Sequence, residues 1–70
     1  MSLLDWLITL EEVGVVALYR DGDFLHYDIN FKHHDARRFR RLERVGRKEG
    51  HVDAAFARAP KIPKAVPAWA

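Results

Sequence analysis

Four histidines and ten carboxylates are the residues of this chain best suited to chemistry, and their spacing decides what that chemistry can be. His33-His34-Asp35, with His26 or His51 as a further ligand, is the grouping that suggests a metal site. Adjacent histidines cannot form the i, i+4 clamp by which a helix presents two imidazoles to one ion, and His26 falls on the half-polar side of a predicted hairpin. Capping and surface roles are therefore expected for these residues, and no metal. Ser2 is the only serine and there is no cysteine, which removes serine and thiol nucleophiles. Thr9 lies inside a predicted helix. Asp21 and Asp23 flank a glycine as turn residues do, which accounts for the pair without catalysis. Gly14, Gly22, Gly46 and Gly50 have no phosphate-cradling spacing. The sequence predicts neither an enzyme nor a cofactor.

Binding chemistry is better represented. The stretch ARRFRRLERV, residues 36 to 45, holds five arginines and no lysine. With Ala36 at 0° and about 100° per residue, Arg40, Arg44, Arg37 and Arg41 fall between about 40° and 140°, while Phe39, Leu42 and Val45 fall between about 180° and 300°. Like charges three and four apart on a helix repel by about 0.2 to 0.5 kcal/mol per pair, so the set costs about 1 to 2 kcal/mol. Three things can offset that cost. The arginine stems can cover apolar surface. The chain's own acids, Asp21, Asp23, Asp28 or Glu11, can lie close by. Or a partner can supply the negative charge, as a phosphate backbone or an acidic protein groove.

The guanidinium fork suits carboxylate and phosphate alike. A base-reading helix usually carries Asn, Gln, Ser or Thr beside its arginines, and this one has none. Phe39 sits on the apolar side, so no aromatic is interleaved for stacking. Charge is also divided along the chain. Residues 1 to 31 carry one base against six acids, residues 32 to 51 eight bases against three acids, and residues 52 to 70 three bases against one acid. The acids of the first half disfavour a long duplex, and the asymmetry bears on partners more than on fold.

These residues need elements to position them. Seventy residues make one domain near the lower limit of independent folding. No stretch approaches the roughly 20 apolar residues of a membrane span, and no signal peptide is recognisable, so a cytoplasmic location is expected. SLLDWLITLEE predicts a helix capped by Ser2, with Trp6, Leu10, Leu3, Leu7, Leu4 and Ile8 in an apolar arc of about 200°. That arc is wide enough to offer a second strip to a partner. VGVVALYRDGDFLHYDINF predicts a hairpin on an Asp21-Gly22 type I′ loop, with Leu18 opposite Leu25, Val16 opposite Tyr27 and Gly14 opposite Ile29. The basic helix follows from about 36 to 45, capped by Asp35 or His34 and stopped by Gly46. A short helix with Val52, Ala55, Phe56 and Ala59 inward ends at Pro60, with a third strand at His51 to Asp53 as the competing reading. Pro60, Pro63 and Pro67 mark an extended tail.

The expected fold is α+β: a single domain over residues 1–59 in the order α-β-β-α-α, followed by a proline-rich tail over 60–70. Over Leu3 to Ile29 the helix and Gly-containing hairpin resemble the opening of roadblock-like small domains; from Phe31 onward the chain departs, and no functional residue carries over. Trp69, beyond three prolines, and the hairpin's half-apolar outer face favour protein contact. The expected function is that of a small accessory subunit, adaptor or inhibitor docking on a larger protein or nucleoprotein complex with an acidic surface. Arg37, Arg40, Arg41, Arg44 and Lys48 would form its basic contact, and Tyr19, Phe24 and Trp69 its apolar anchors. The alternative is auxiliary, sequence-nonspecific nucleic-acid binding through the same cations, and self-association is a further outcome of the surplus apolar surface.

Overall fold

The structure, a computed structural model of the chain, describes residues 1–30 and 35–61. Ser2 opens the first helix: its hydroxyl accepts the backbone N–H of Asp5 at 3.1 Å, satisfying one of the donors that a helix start leaves unpaired. The helix, α1 (Leu3–Glu12), buries Trp6 and Leu10 and half-buries Leu3 and Leu7.

Strand β1 (Val15–Asp21) pairs antiparallel with β2 (Phe24–Ile29). The loop is Gly22-Asp23, one residue later than expected, so that Asp21 faces Phe24, Arg20 faces Leu25, Tyr19 faces His26 and Leu18 faces Tyr27. The reason is backbone sterics. A type I′ loop on Asp21-Gly22 needs positive φ at both residues, whereas the observed loop needs it only at Gly22, whose φ is +59°; among the described residues no non-glycine has positive φ. The slip changes each pairing by two residues, an even number, so the faces survive: Leu18, Leu25, Tyr27 and Ile29 still point inward. None of the expected pairings Leu18–Leu25, Val16–Tyr27 and Gly14–Ile29 is therefore formed, and a bulge between Val15 and Ala17 changes the last part of the ladder once more. Val15, not Gly14, faces Ile29, and Val16 swings outward and is 61 % exposed while Val15 is buried.

Helix α2 (Ala36–Lys48) starts at Asp35, whose side chain accepts the Arg38 N–H at 3.1 Å. It does not stop at Gly46. That residue lies at about 280° on the wheel, inside the packed arc between Leu42 and Phe39, and is buried beneath Trp6. The indole Nε1 donates to the Leu42 carbonyl at 2.7 Å. The chain turns instead at Gly50, with φ +80°, and enters α3 (His51–Arg58). The competing strand at 51–53 is thus a helix, with Ala55 and Ala59 buried and Val52 and Phe56 half-buried. At the same corner the Met1 ammonium lies 3.4 Å from Glu49, and the His51 ring nitrogen Nε2 lies 2.7 Å from the Met1 carbonyl and 3.0 Å from Glu49. Partial burial works to raise the Glu49 pKa, but the ammonium and His51 outweigh it and hold the carboxyl below its ordinary range.

The order is therefore α-β-β-α-α in a small α+β fold. Helices α1 and α3 cover the inner face of the hairpin, and α2 packs on both helices. Trp6, Leu10, Val13, Val15, Leu42 and Ala55 form the core. Beyond α3, the Pro60 carbonyl accepts the Arg20 N–H at 2.7 Å and Lys61 bridges Arg20 in parallel, so the start of the expected tail runs along the outer edge of β1. His33, His34, Pro63, Pro67 and Trp69 lie outside the described residues.

Candidate interaction surface

Extension of α2 to Lys48 enlarges the basic face. On the wheel Lys48 falls at about 120°, inside the arc already held by Arg37, Arg40, Arg41 and Arg44, and Arg47 at about 20°, which widens that arc by about 20° beyond Arg40. Six cations at positions 37, 40, 41, 44, 47 and 48 therefore form one stripe about 16 Å long along the helix axis. All six are exposed. Arg37 also stands in the first turn, which holds no acidic residue and where the positive end of the helix dipole disfavours a cation; Arg47 and Lys48 are favoured at the opposite end.

Pairing of these cations within the molecule is sparse. Arg47 reaches Glu43 at 3.8 Å, and among the described residues no carboxylate lies within 4.0 Å of Arg37, Arg40, Arg41, Arg44 or Lys48. Asp21, Asp23, Asp28 and Glu11, the acids suited to offset the repulsion from within, make no such pair.

The aromatic anchors are placed differently from one another. Phe24, at the hairpin tip, is 76 % exposed and opens onto a groove of about 280 Å³ that also reaches Tyr27, Glu43, Arg47 and Asp53. The fold thus joins Phe24 to the C-terminal end of the basic stripe. Tyr19 is half-buried on the outer face of the hairpin, with its ring 6.4 Å from that of His26, and is not part of this groove. Trp69 lies outside the described residues.

Inside the groove, the Tyr27 ring packs edge-on against Phe39 at 5.0 Å. Its hydroxyl is buried with no hydrogen-bond partner among the described residues. Burial, aided by Glu43 and opposed by Arg47, pushes its pKa up to about 12. Arg47 was not among the expected contacts, because its membership of the stripe depends on the helix passing Gly46. Leu4, Ile8 and Val16 are further exposed apolar side chains that the expected anchors omit. The exposure of Leu4 and Ile8 was implicit in the width of the first helix's apolar arc, whereas that of Val16 follows from the bulge.

Among the described residues, no group of three His, Asp or Glu side chains is arranged to hold a metal ion, and no helix is long and apolar enough to cross a membrane. Comparison of the chain with protein-family models, with curated proteins and with solved structures found no match.

Proposed function

We propose that this chain is a non-enzymatic protein-interaction module, an accessory subunit, adaptor or inhibitor of the cytoplasm, whose α2 stripe docks on an acidic surface of a larger protein or nucleoprotein complex. The observation that carries this reading is the stripe: six aligned cations on a 13-residue helix, five of them without an ion pair among the described residues. A helix in a domain this small bears the repulsion as a standing cost, and a complementary anionic surface offsets it.

A protein partner fits better than a nucleic acid. At the Arg47 end, the stripe meets Glu43, Asp23 and Asp53 around the Phe24 groove. A phosphate backbone laid along α2 would meet these carboxylates, whereas a protein ridge with acidic residues and an apolar neighbour would place its apolar part on Phe24. Nucleic-acid binding through Arg37, Arg40, Arg41, Arg44 and Lys48 remains the alternative.

The test is affinity capture from the native cell with wild type, with R40E/R44E and with F24D. The double reversal is expected to lose the partner at unchanged helicity, and F24D to weaken its retention. Equal capture by wild type and R40E/R44E removes the basic-face reading. A mobility assay that shows a salt-sensitive shift with nucleic acid, abolished by R40E/R44E, favours the alternative.

A further inference from the structure

The α1 flank turned away from α2 carries a surface of opposite sign. With Leu3 at 0°, Trp6 points toward α2 at about 300°, while Glu11, Leu4, Ile8, Glu12 and Asp5 follow one another between about 80° and 200°. Leu4 is 66 % and Ile8 46 % exposed, and they form one i, i+4 ridge. Beside the ridge runs an open groove of about 290 Å³ between α1 and β1, with Leu7, Leu10 and Leu18 among its walls. Val16, thrown outward by the bulge, and Glu11 also line it, and on the wheel Glu11 falls between Leu7 of the groove and Leu4 of the ridge.

Carboxylates therefore border the apolar ridge on both sides, with Glu11 on one and Glu12 and Asp5 on the other. Among the described residues none of the three makes an ion pair. Glu11 and Glu12 also occupy the last turn of α1, which holds no basic residue, so the negative end of the helix dipole repels them. A second copy of this chain would set three carboxylates against three. A segment with an apolar stripe flanked by lysines or arginines would instead fill the groove, cover the ridge and pair all three acids.

From this charge and shape complementarity we infer that the α1–β1 flank is a docking site for a basic amphipathic helix of a partner protein. The chain then carries two faces of opposite charge on opposite sides of the α1–α2 pair, and can bridge a basic partner to an acidic one. This site does not depend on the α2 stripe.

The probe is a synthetic amphipathic helix of leucine and lysine, with its leucine–glutamate counterpart as control, titrated into the 15N-labelled full chain. The lysine peptide is expected to shift the amides of Leu4, Ile8, Glu11 and Val16, and the glutamate peptide to leave them unmoved. E11K/E12K and L4S/I8S are each expected to weaken the lysine peptide at least tenfold, whereas R40E/R44E leaves it no weaker. All the substituted side chains are exposed, and V16S provides a milder variant should L4S/I8S lose helicity. The inference is overturned by any of three results: equal binding of both peptides, shifts confined to the acidic hairpin tip around Asp21 and Asp23, or a wild-type chain that dimerises through Leu4 and Ile8 and excludes the lysine peptide.

Discussion

Trp6 occupies the space in which residue 46 would carry a side chain. A Cβ built on Gly46 would stand 2.5 Å from two carbons of the indole ring and 2.7 Å from its nitrogen. The same nitrogen donates to the Leu42 carbonyl, one turn earlier on α2. Glycine within a helix costs up to about 1 kcal/mol relative to alanine, and here that cost is accepted so that a fully buried indole can rest directly on the backbone of α2.

Gly46→Ala is accordingly expected to destabilise the domain although it improves helix propensity. Overpacking a rigid ring costs about 1 to 3 kcal/mol against a propensity gain of up to about 1, leaving a net loss of up to about 2 kcal/mol in urea unfolding. In a Trp6→Phe background, where the atoms that clash are removed, the effect of Gly46→Ala should shrink or reverse. Strict additivity of the two substitutions would show that the contact does not set the cost.

Gly22 and Gly50 are constrained differently, because a Cβ at either meets nothing within 4 Å. Their requirement is positive φ, and alanine there is expected to cost about 1 to 2 kcal/mol from backbone strain alone. Gly22→Asn should cost less than Gly22→Ala, since asparagine tolerates the left-handed region. Thermal melts of the two variants decide the matter: equal losses would mean that the loop is not held by the sign of φ.

This difference between glycines marks how far the fold was legible. Ser2 and Asp35 cap the helices that their positions predict, because capping needs only the local chain. The hairpin's faces were readable from alternation. Its loop was placed one residue early, because Asp-Gly admits two two-residue loops and sequence alone does not rank the strain at Asp21. Gly46 carried the same local stop signal as Gly50, and only a tryptophan forty residues earlier distinguishes them. The bulge that exposes Val16 has no local signature at all. The candidate site inherits both limits. Arg37, Arg40, Arg41 and Arg44 were legible from helical spacing, whereas Arg47 joined them only once α2 was known to pass Gly46.

Tyr27 gives the fold an alkaline limit. Its folded pKa of about 12 lies above the ordinary tyrosine value of about 10, so the native state holds a proton that the unfolded chain releases. The stability contributed by the neutral hydroxyl is complete below about pH 10 and is lost as pH rises through about 12. Tyr27→Phe should abolish this contribution to the alkaline loss. Because the hydroxyl is buried without a partner among the described residues, the variant should also be as stable as wild type at pH 7, or more stable by up to about 1 kcal/mol. A loss at pH 7 would reveal a hydrogen bond to that hydroxyl.

Arg44 stands at the centre of the stripe, with Arg40 and Arg41 four and three residues before it and Arg47 and Lys48 three and four after it. Replacing it by glutamine removes four repelling pairs of about 0.2 to 0.5 kcal/mol each, so Arg44→Gln is expected to stabilise the free domain by about 1 to 2 kcal/mol at low ionic strength. The gain should fade as salt screens the wild-type repulsion. Partner capture should move the opposite way, weakening in Arg44→Gln and in wild type at raised salt. This pairing of a stability gain with a binding loss separates a face selected for contact from a merely solvated one, for which stability would rise with no loss of capture. Should Arg44→Gln instead destabilise the free domain, the guanidinium has a favourable role within the fold, and the charge at the centre of the stripe is already compensated there.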